Sequence, residues 1–243
     1  MKVFDKDEYL IKSVSDFLKI KDRLLYTSDA DPGTWIFRGE NDSKYLLKPS
    51  IGRLLTETGN FITKEKLLHF ELHAFNEFYV RVYNELREKD KFILLAVAQH
   101  HGLKTRLLDW TFSPLIAMFF TVEDDLKFNT DGSLIAVQAT NHFNNYNKQI
   151  TSPFDERLEE YHLLFMPDLS PRIRAQQGVF QLFKNPTQEF SEGNNLRKFI
   201  IPAVRKKAIK RELYELGISY QTVFPDLDGM CKNINYLKLN ERL

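Results

Sequence analysis

The chain has 243 residues, of which 43% are hydrophobic and 13% aromatic, and its formal net charge is +1. That apolar content builds a substantial core and argues against disorder, so a single domain over 1–243 is expected. The near-zero charge excludes a global basic field for nucleic acid, leaving only local patches.

In chain order, Ser13 or Ser15 caps a first predicted helix, "SVSDFLKIKDRLL", with Val14, Phe17 and Leu18 at helical spacing. Asp31-Pro32-Gly33 reads as a turn into a short strand, "TWIF", with Arg38-Gly39 at its end. A loop is expected through "NDSKYLLKPSIGR". A long helix begins at Lys64, carried by Leu67, Leu68, Phe75 and Tyr79. "FILLAVAQHHG" predicts another helix, stopped by Gly102. "SPLIAMFFTVEDDL" predicts a third, with Ser113 as its cap and Pro114 in its first turn.

The second half alternates. "GSLIAVQAT" reads as a strand and the Asn-rich stretch around His142 as a solvated loop. "HLLFMP", "GVFQLF" and "RKFIIPA" read as further strands, and "PRIRAQQ" as a helical turn. "VRKKAIKRELYELG" is an amphipathic helix ending at Gly217, and its basic run is expected to be a solvated face. "FPDLDGMCKNINYLKL" opens with a turn and closes with a helix. The pattern predicts an α+β fold: a helix-rich domain with a small mixed or antiparallel sheet.

The single cysteine, Cys231, cannot form an internal disulfide and is expected to be buried filler. The opening residues lack a leader-like apolar core, and no apolar run is long enough to cross a bilayer. A cytoplasmic protein without membrane contact is expected.

Polar chemistry concentrates in "AVAQHHGLKTRLLDWTFSPLIAMFF", Ala96 to Phe120. Arg38 grips a phosphate or carboxylate through paired hydrogen bonds, or else forms a structural pair with Glu40 or Asp109; Gly39 lets the backbone bend around it. His100 and His101 suit ligand binding or proton transfer, or one is exposed while the other satisfies a backbone carbonyl. Their adjacency does not match a zinc-binding helix, and Asp226 and Asp228 lack further ligands, so no metal is predicted. Asp109 lies among Leu107, Leu108 and Trp110, where a carboxylate needs a partner: Arg106, Arg38 or a histidine. The alternative has Asp109 capping a turn and Trp110 packing in the core. The whole segment reads as two helices meeting at a polar corner.

"WIFRGE", the Ala96–Phe120 segment, "PRIRAQQGVFQLF" and "VFPDLDGM" together resemble the FRG domain, named for its Phe-Arg-Gly motif, here Phe37-Arg38-Gly39. The resemblance runs from about 35 to 235 and implies a setting in bacteria and their phages, including conflict between them. A more distant similarity, to ADP-ribosyltransferases, implies an ADP-ribosyltransferase-like core with NAD as substrate. That likeness rests on Arg38-Gly39, on Thr111-Phe112-Ser113 and on "AQQGVFQLF". It implies that Arg38 holds the phosphates and that Trp110 or Phe112 stacks on a ring. Gln176, Gln177 and Gly178 stand where that family carries a catalytic Glu. Gln177 then binds a ribose hydroxyl, and a carboxylate such as Asp109 takes over, or the activity is altered.

The expected catalytic set is therefore Arg38, His101, Asp109 and Gln177. The expected nucleotide-binding set is Gly39, Gln99, His100, Thr105, Arg106, Trp110, Thr111 and Ser113. The leading expectation is a nucleotide ligand, NAD, acted on by a transferase or glycohydrolase. The alternatives are a protein or nucleic-acid recognition module, and a nuclease using His100, His101 and Asp109.

Overall fold

A computed structural model describes residues 8–25, 34–57, 63–86, 88–139, 149–166, 170–191 and 196–240. His142 lies outside the described residues. The strands are β1 (Glu8–Leu10), β2 (Thr34–Glu40), β3 (Leu107–Thr111), β4 (Gly132–Ala139), β5 (Tyr161–Leu164), β6 (Gly178–Phe183) and β7 (Leu196–Ile201). They form one sheet in the order β1-β7-β4-β2-β3-β6-β5. Only the edge pair β1–β7 is parallel, so the sheet is mixed and the fold is α+β.

The helices follow the local signals closely. They are α1 (Val14–Leu25), α2 (Ser50–Glu57), α3 (Lys64–Val82), α4 (Lys91–His100), α5 (Pro114–Val122), α6 (Pro171–Ala175), α7 (Ala203–Glu215), α8 (Tyr220–Val223) and α9 (Leu227–Asn240). Asp90 caps α4 by accepting from the Phe92 N–H at 2.8 Å. Gly102 ends α4 in the left-handed region at φ 94°, which costs an L side chain but not glycine. The Ser113 hydroxyl accepts from the Ile116 N–H and Pro114 opens α5, as the sequence predicts.

Two segments differ from expectation. The loop through Arg53 contains the start of α2, with Ile51 fully buried. More consequentially, the polar corner between α4 and α5 is a strand, β3, near the middle of the sheet. Its side chains alternate. Leu107 packs with Phe75, Leu95 and Leu182, whereas Leu108 and Trp110 pack with Ile36, Val179 and Phe183. β3 pairs with β6 along its whole length, Leu107 against Leu182 through Thr111 against Gly178. A five-residue strand buried on both faces has no readable period of its own; the partner strand supplies its hydrogen bonds.

A separate core joins Phe17, Phe37, Phe119, Phe199 and Ile209, seating α1, α5 and α7 on β2, β4 and β7. α5 lies unusually close to β2. A Cβ on Gly39 would sit 1.9 Å from the Ala117 carbonyl oxygen and 2.8 Å from the Thr121 hydroxyl. Gly39 thus serves helix-on-strand approach rather than a bend, because its backbone is not among those with positive φ. No described helix is long and apolar enough to cross a membrane.

Candidate active-site cleft

The two halves of the sheet barely join. β2 pairs with β4 from Thr34 to Glu40, but with β3 only at Phe37 against Thr111. Beyond that pair the strands part, and a cleft of about 340 Å³ opens between them. This volume lies within the range of small-molecule sites. Arg38, Gly39 and Glu40 line it from β2, Gln99 and His100 from α4, and Asp109, Trp110 and Thr111 from β3. Phe120 and Glu123 enter from α5 and its C-terminal end, and Arg172, Ile173 and Gln176 from α6 and its end.

Arg38 spans the parting. Its Nε donates to Glu40 Oε1 at 2.7 Å and its Nη1 to the Asp109 carbonyl oxygen at 2.7 Å. The Arg38 and Glu40 side chains are only 13% and 7% exposed, so the pair is largely shielded from water. The guanidinium therefore holds the cleft's two walls at a fixed separation while forming part of its surface.

Asp109 is exposed, and the partner it finds is neutral. Its Oδ1 accepts from Gln99 Nε2 at 2.7 Å. Gln99 in turn accepts from the hydroxyl of Thr105, which is fully buried and also accepts from the Leu107 N–H. A chain from Thr105 through Gln99 orients the Asp109 carboxylate. Arg106, one of the anticipated charged partners, lies elsewhere. Its guanidinium makes three hydrogen bonds to Glu71, the shortest 2.7 Å, and both side chains are buried. Arg106 is thus committed to tying β3 to α3 and is outside the cleft lining.

The remaining expected residues divide in the same way. His100 lines the cleft; burial, followed by the positive charges of Arg172 and His101, holds its pKa below the ordinary value, against the pull of Asp226 and Asp109. His101 caps α4 and is exposed outside the lining. Trp110 borders the cleft, yet its indole is buried, donating to Gln181 Oε1 at 3.0 Å and packing edge-on to Phe190. It is unavailable for stacking on a ligand, and Phe112 packs with Phe165 instead. Thr111 donates to the Gln176 carbonyl at 2.6 Å and accepts from the Ser113 N–H, so both hydroxyl functions and the Ser113 cap are architectural. Gln177 is exposed and outside the lining, with φ 48°, the one positive-φ residue other than glycine among those described. Gln176 takes the place at the cleft wall.

Glu123 and Arg172 are cleft residues that the sequence does not announce. Glu123 is the first charge after the apolar α5, its one local sign; nothing local separates Arg172 from Arg174. Glu123 is half-buried, and burial raises its carboxyl pKa against the opposing charges of Lys232, Lys210 and Arg172. The backbone here is clamped from α7. Lys210, fully buried, donates to the Glu123 carbonyl at 2.9 Å and to Asp125 at 2.7 Å. The Tyr220 hydroxyl donates to that same carbonyl. Lys206, also fully buried, donates to the Asn41 carbonyl at 2.6 Å and the Lys127 carbonyl at 2.8 Å. The basic run is thus a solvated face only in part: Lys207 and Arg211 are exposed, whereas Lys206 and Lys210 reach inward from α7 to part-buried backbone carbonyls. Cys231 is exposed rather than buried, because α9 turns it toward solvent. Among the described residues, no group of three or more His, Cys, Asp or Glu side chains is arranged to hold a metal ion.

A mixed α+β domain with a charged cleft at the parting of its sheet is the class these features define. Residues 33–130 match the family model of the FRG domain. The matched span includes β2, β3 and α5, and so the Phe-Arg-Gly segment and most of the cleft. The α6–β6 and α8–α9 segments, which carry part of the resemblance in sequence, lie beyond it. No curated protein and no solved structure matches the chain.

Within the family motif each residue has a separate physical task. Phe37 fills the core at 2% exposure, Arg38 braces the cleft, and Gly39 admits α5.

Proposed function

We propose that the cleft binds a nucleotide and that this FRG-domain protein is an NAD-using enzyme, an ADP-ribosyltransferase-like transferase or an NAD glycohydrolase. The observation that carries the reading is the parting of β2 from β3 at Arg38, which gathers arginines, a histidine and carboxyls around one small-molecule-sized cleft. The cations complement a pyrophosphate, and fixed polar groups favour charge developing on a ribose. The C1′–N1 bond breaks with its electron pair leaving on nicotinamide, which cancels the pyridinium charge. The oxygen of water or of an acceptor hydroxyl bonds to C1′, and its proton passes to a cleft carboxylate.

Calorimetric titration with NAD and measurement of nicotinamide release test this. Saturable binding with release is expected, and Asp109→Asn separates the charge of that wall from its shape. Absence of both binding and release overturns the reading. A recognition module without catalysis is the second reading, favoured by the commitment of Arg38 to Glu40 and the Asp109 carbonyl. Binding of NAD without turnover at any enzyme concentration selects it.

A further inference from the structure

The charged groups lining the cleft differ in what they are already bonded to. Of its three carboxyls, Glu40 is paired with Arg38 at 2.7 Å and Asp109 accepts from Gln99 at 2.7 Å. The Glu123 carboxyl has no hydrogen bond or ion pair among the described residues, although the residue is half-buried at the cleft wall. A shielded carboxyl left without a partner needs a reason to be there. The two cleft arginines show the same contrast. Arg38 is spent on protein atoms. The Arg172 guanidinium makes no hydrogen bond or ion pair among the described residues and lies 4.4 Å from the centre of the Phe224 ring. Resting a guanidinium on an aromatic face orients it while leaving its N–H edge for a ligand.

We infer that Glu123 and Arg172 are the pair that works on the ligand: Arg172 grips the pyrophosphate, and Glu123 is the carboxylate that takes the proton of the attacking hydroxyl. This rests on the NAD reading and replaces its unspecified carboxylate with a named one. Arg38 and Asp109 then brace and shape the cleft.

Three features support the assignment. The Glu123 backbone is anchored by Lys210 and Tyr220, so its carboxyl is delivered from a fixed point while remaining uncommitted itself. Arg172 acts electrostatically on both Glu123 and His100, which places all three in one neighbourhood. Burial makes the Glu123 carboxylate a stronger base than an exposed one, as proton abstraction near neutral pH requires. In the hydrolytic form, the water oxygen bonds to C1′ as nicotinamide departs with the C1′–N1 pair, and the released proton resides on Glu123 until it passes to solvent.

The full chain is assayed with NAD as wild type, Glu123→Gln, Glu123→Asp and Arg172→Gln, with thermal melts confirming that each is folded. Glu123→Gln is expected to bind NAD within about threefold of wild type while losing roughly 100-fold or more in turnover, the usual scale for a general base. Glu123→Asp, which restores the carboxylate on a shorter arm, is expected to recover part of that loss. Arg172→Gln is expected to weaken binding by about tenfold or more, the scale of a lost charge-assisted contact, with turnover at saturation less affected. Turnover by Glu123→Gln within about threefold of an active wild type overturns the inference and leaves the NAD reading standing. Unchanged affinity in Arg172→Gln overturns the grip in the same way. A wild type that neither binds nor cleaves NAD overturns both.

Discussion

Removing Arg106 exposes what that residue is for. Its guanidinium donates to Glu71 at 2.7, 3.1 and 3.1 Å, reaches the Lys184 carbonyl at 3.3 Å and lies over the Phe154 ring. The side chains are 7% and 1% exposed, so Arg106→Met strands the Glu71 carboxylate in a nearly dry site. Breaking a buried pair from one side costs about 3–5 kcal/mol, because the remaining charge is uncompensated. At roughly 2–4 °C per kcal/mol for a chain of this size, the melting temperature falls by about 6–20 °C. The double variant Arg106→Met/Glu71→Leu leaves neither charge behind and is expected to recover most of the loss. The remainder, about 1 kcal/mol, reflects the carbonyls of Pro153 and Lys184, which lose their donor. Urea unfolding of the two single variants, the double variant and wild type measures the cycle. A single-variant loss below about 1 kcal/mol, or a double variant no better than the singles, refutes the reasoning. Ligand affinity of the folded double variant is expected to match wild type, since Arg106 does not line the cleft.

Two further outcomes follow from the geometry. Gly39→Ala drives a methyl group against the Ala117 carbonyl of a packed helix and is expected to destabilise by about 1–3 kcal/mol or more, read by denaturant midpoint. A wild-type-like midpoint would show that α5 does not approach β2 as closely as described. His100 is expected to titrate below the ordinary histidine value of 6.5 in side-chain NMR, because burial and Arg172 oppose its charge. The neutral ring's contribution to stability is present above that ordinary value and is lost as pH falls through the depressed one. Arg172→Gln is expected to move the midpoint upward; no movement removes Arg172 from the vicinity of His100.

Much of the fold was legible in the chain because short-range rules govern it. Ser113, Gly102 and Gly217 mark helix ends through hydrogen bonds and backbone freedom that involve only near neighbours. The strand β4 and the long helix α3 declare themselves by length and period. The segment from Thr105 to Thr111 did not, since every cue to β3 lies in β6, some seventy residues away. Reading it as a corner made Arg106 one of the candidate partners of Asp109, beside Arg38 and a histidine. As a strand it sends Arg106 inward to Glu71 and leaves Asp109 exposed at the cleft.

The α+β class, most helix boundaries and the prominence of Phe37-Arg38-Gly39 and the Ala96–Phe120 segment follow from the order of residues alone. These depend on composition, local capping and a recognisable run of residue types. Which polar groups are spent and which remain uncommitted depends on the packing of distant elements. That packing paired Arg38 with Glu40, buried the Trp110 indole, turned Lys206 and Lys210 inward, and left the Glu123 carboxyl and the Arg172 guanidinium at the cleft without a hydrogen bond or ion pair among the described residues. A side chain's availability depends on its neighbours in space, and those neighbours come from strands and helices far apart in the chain.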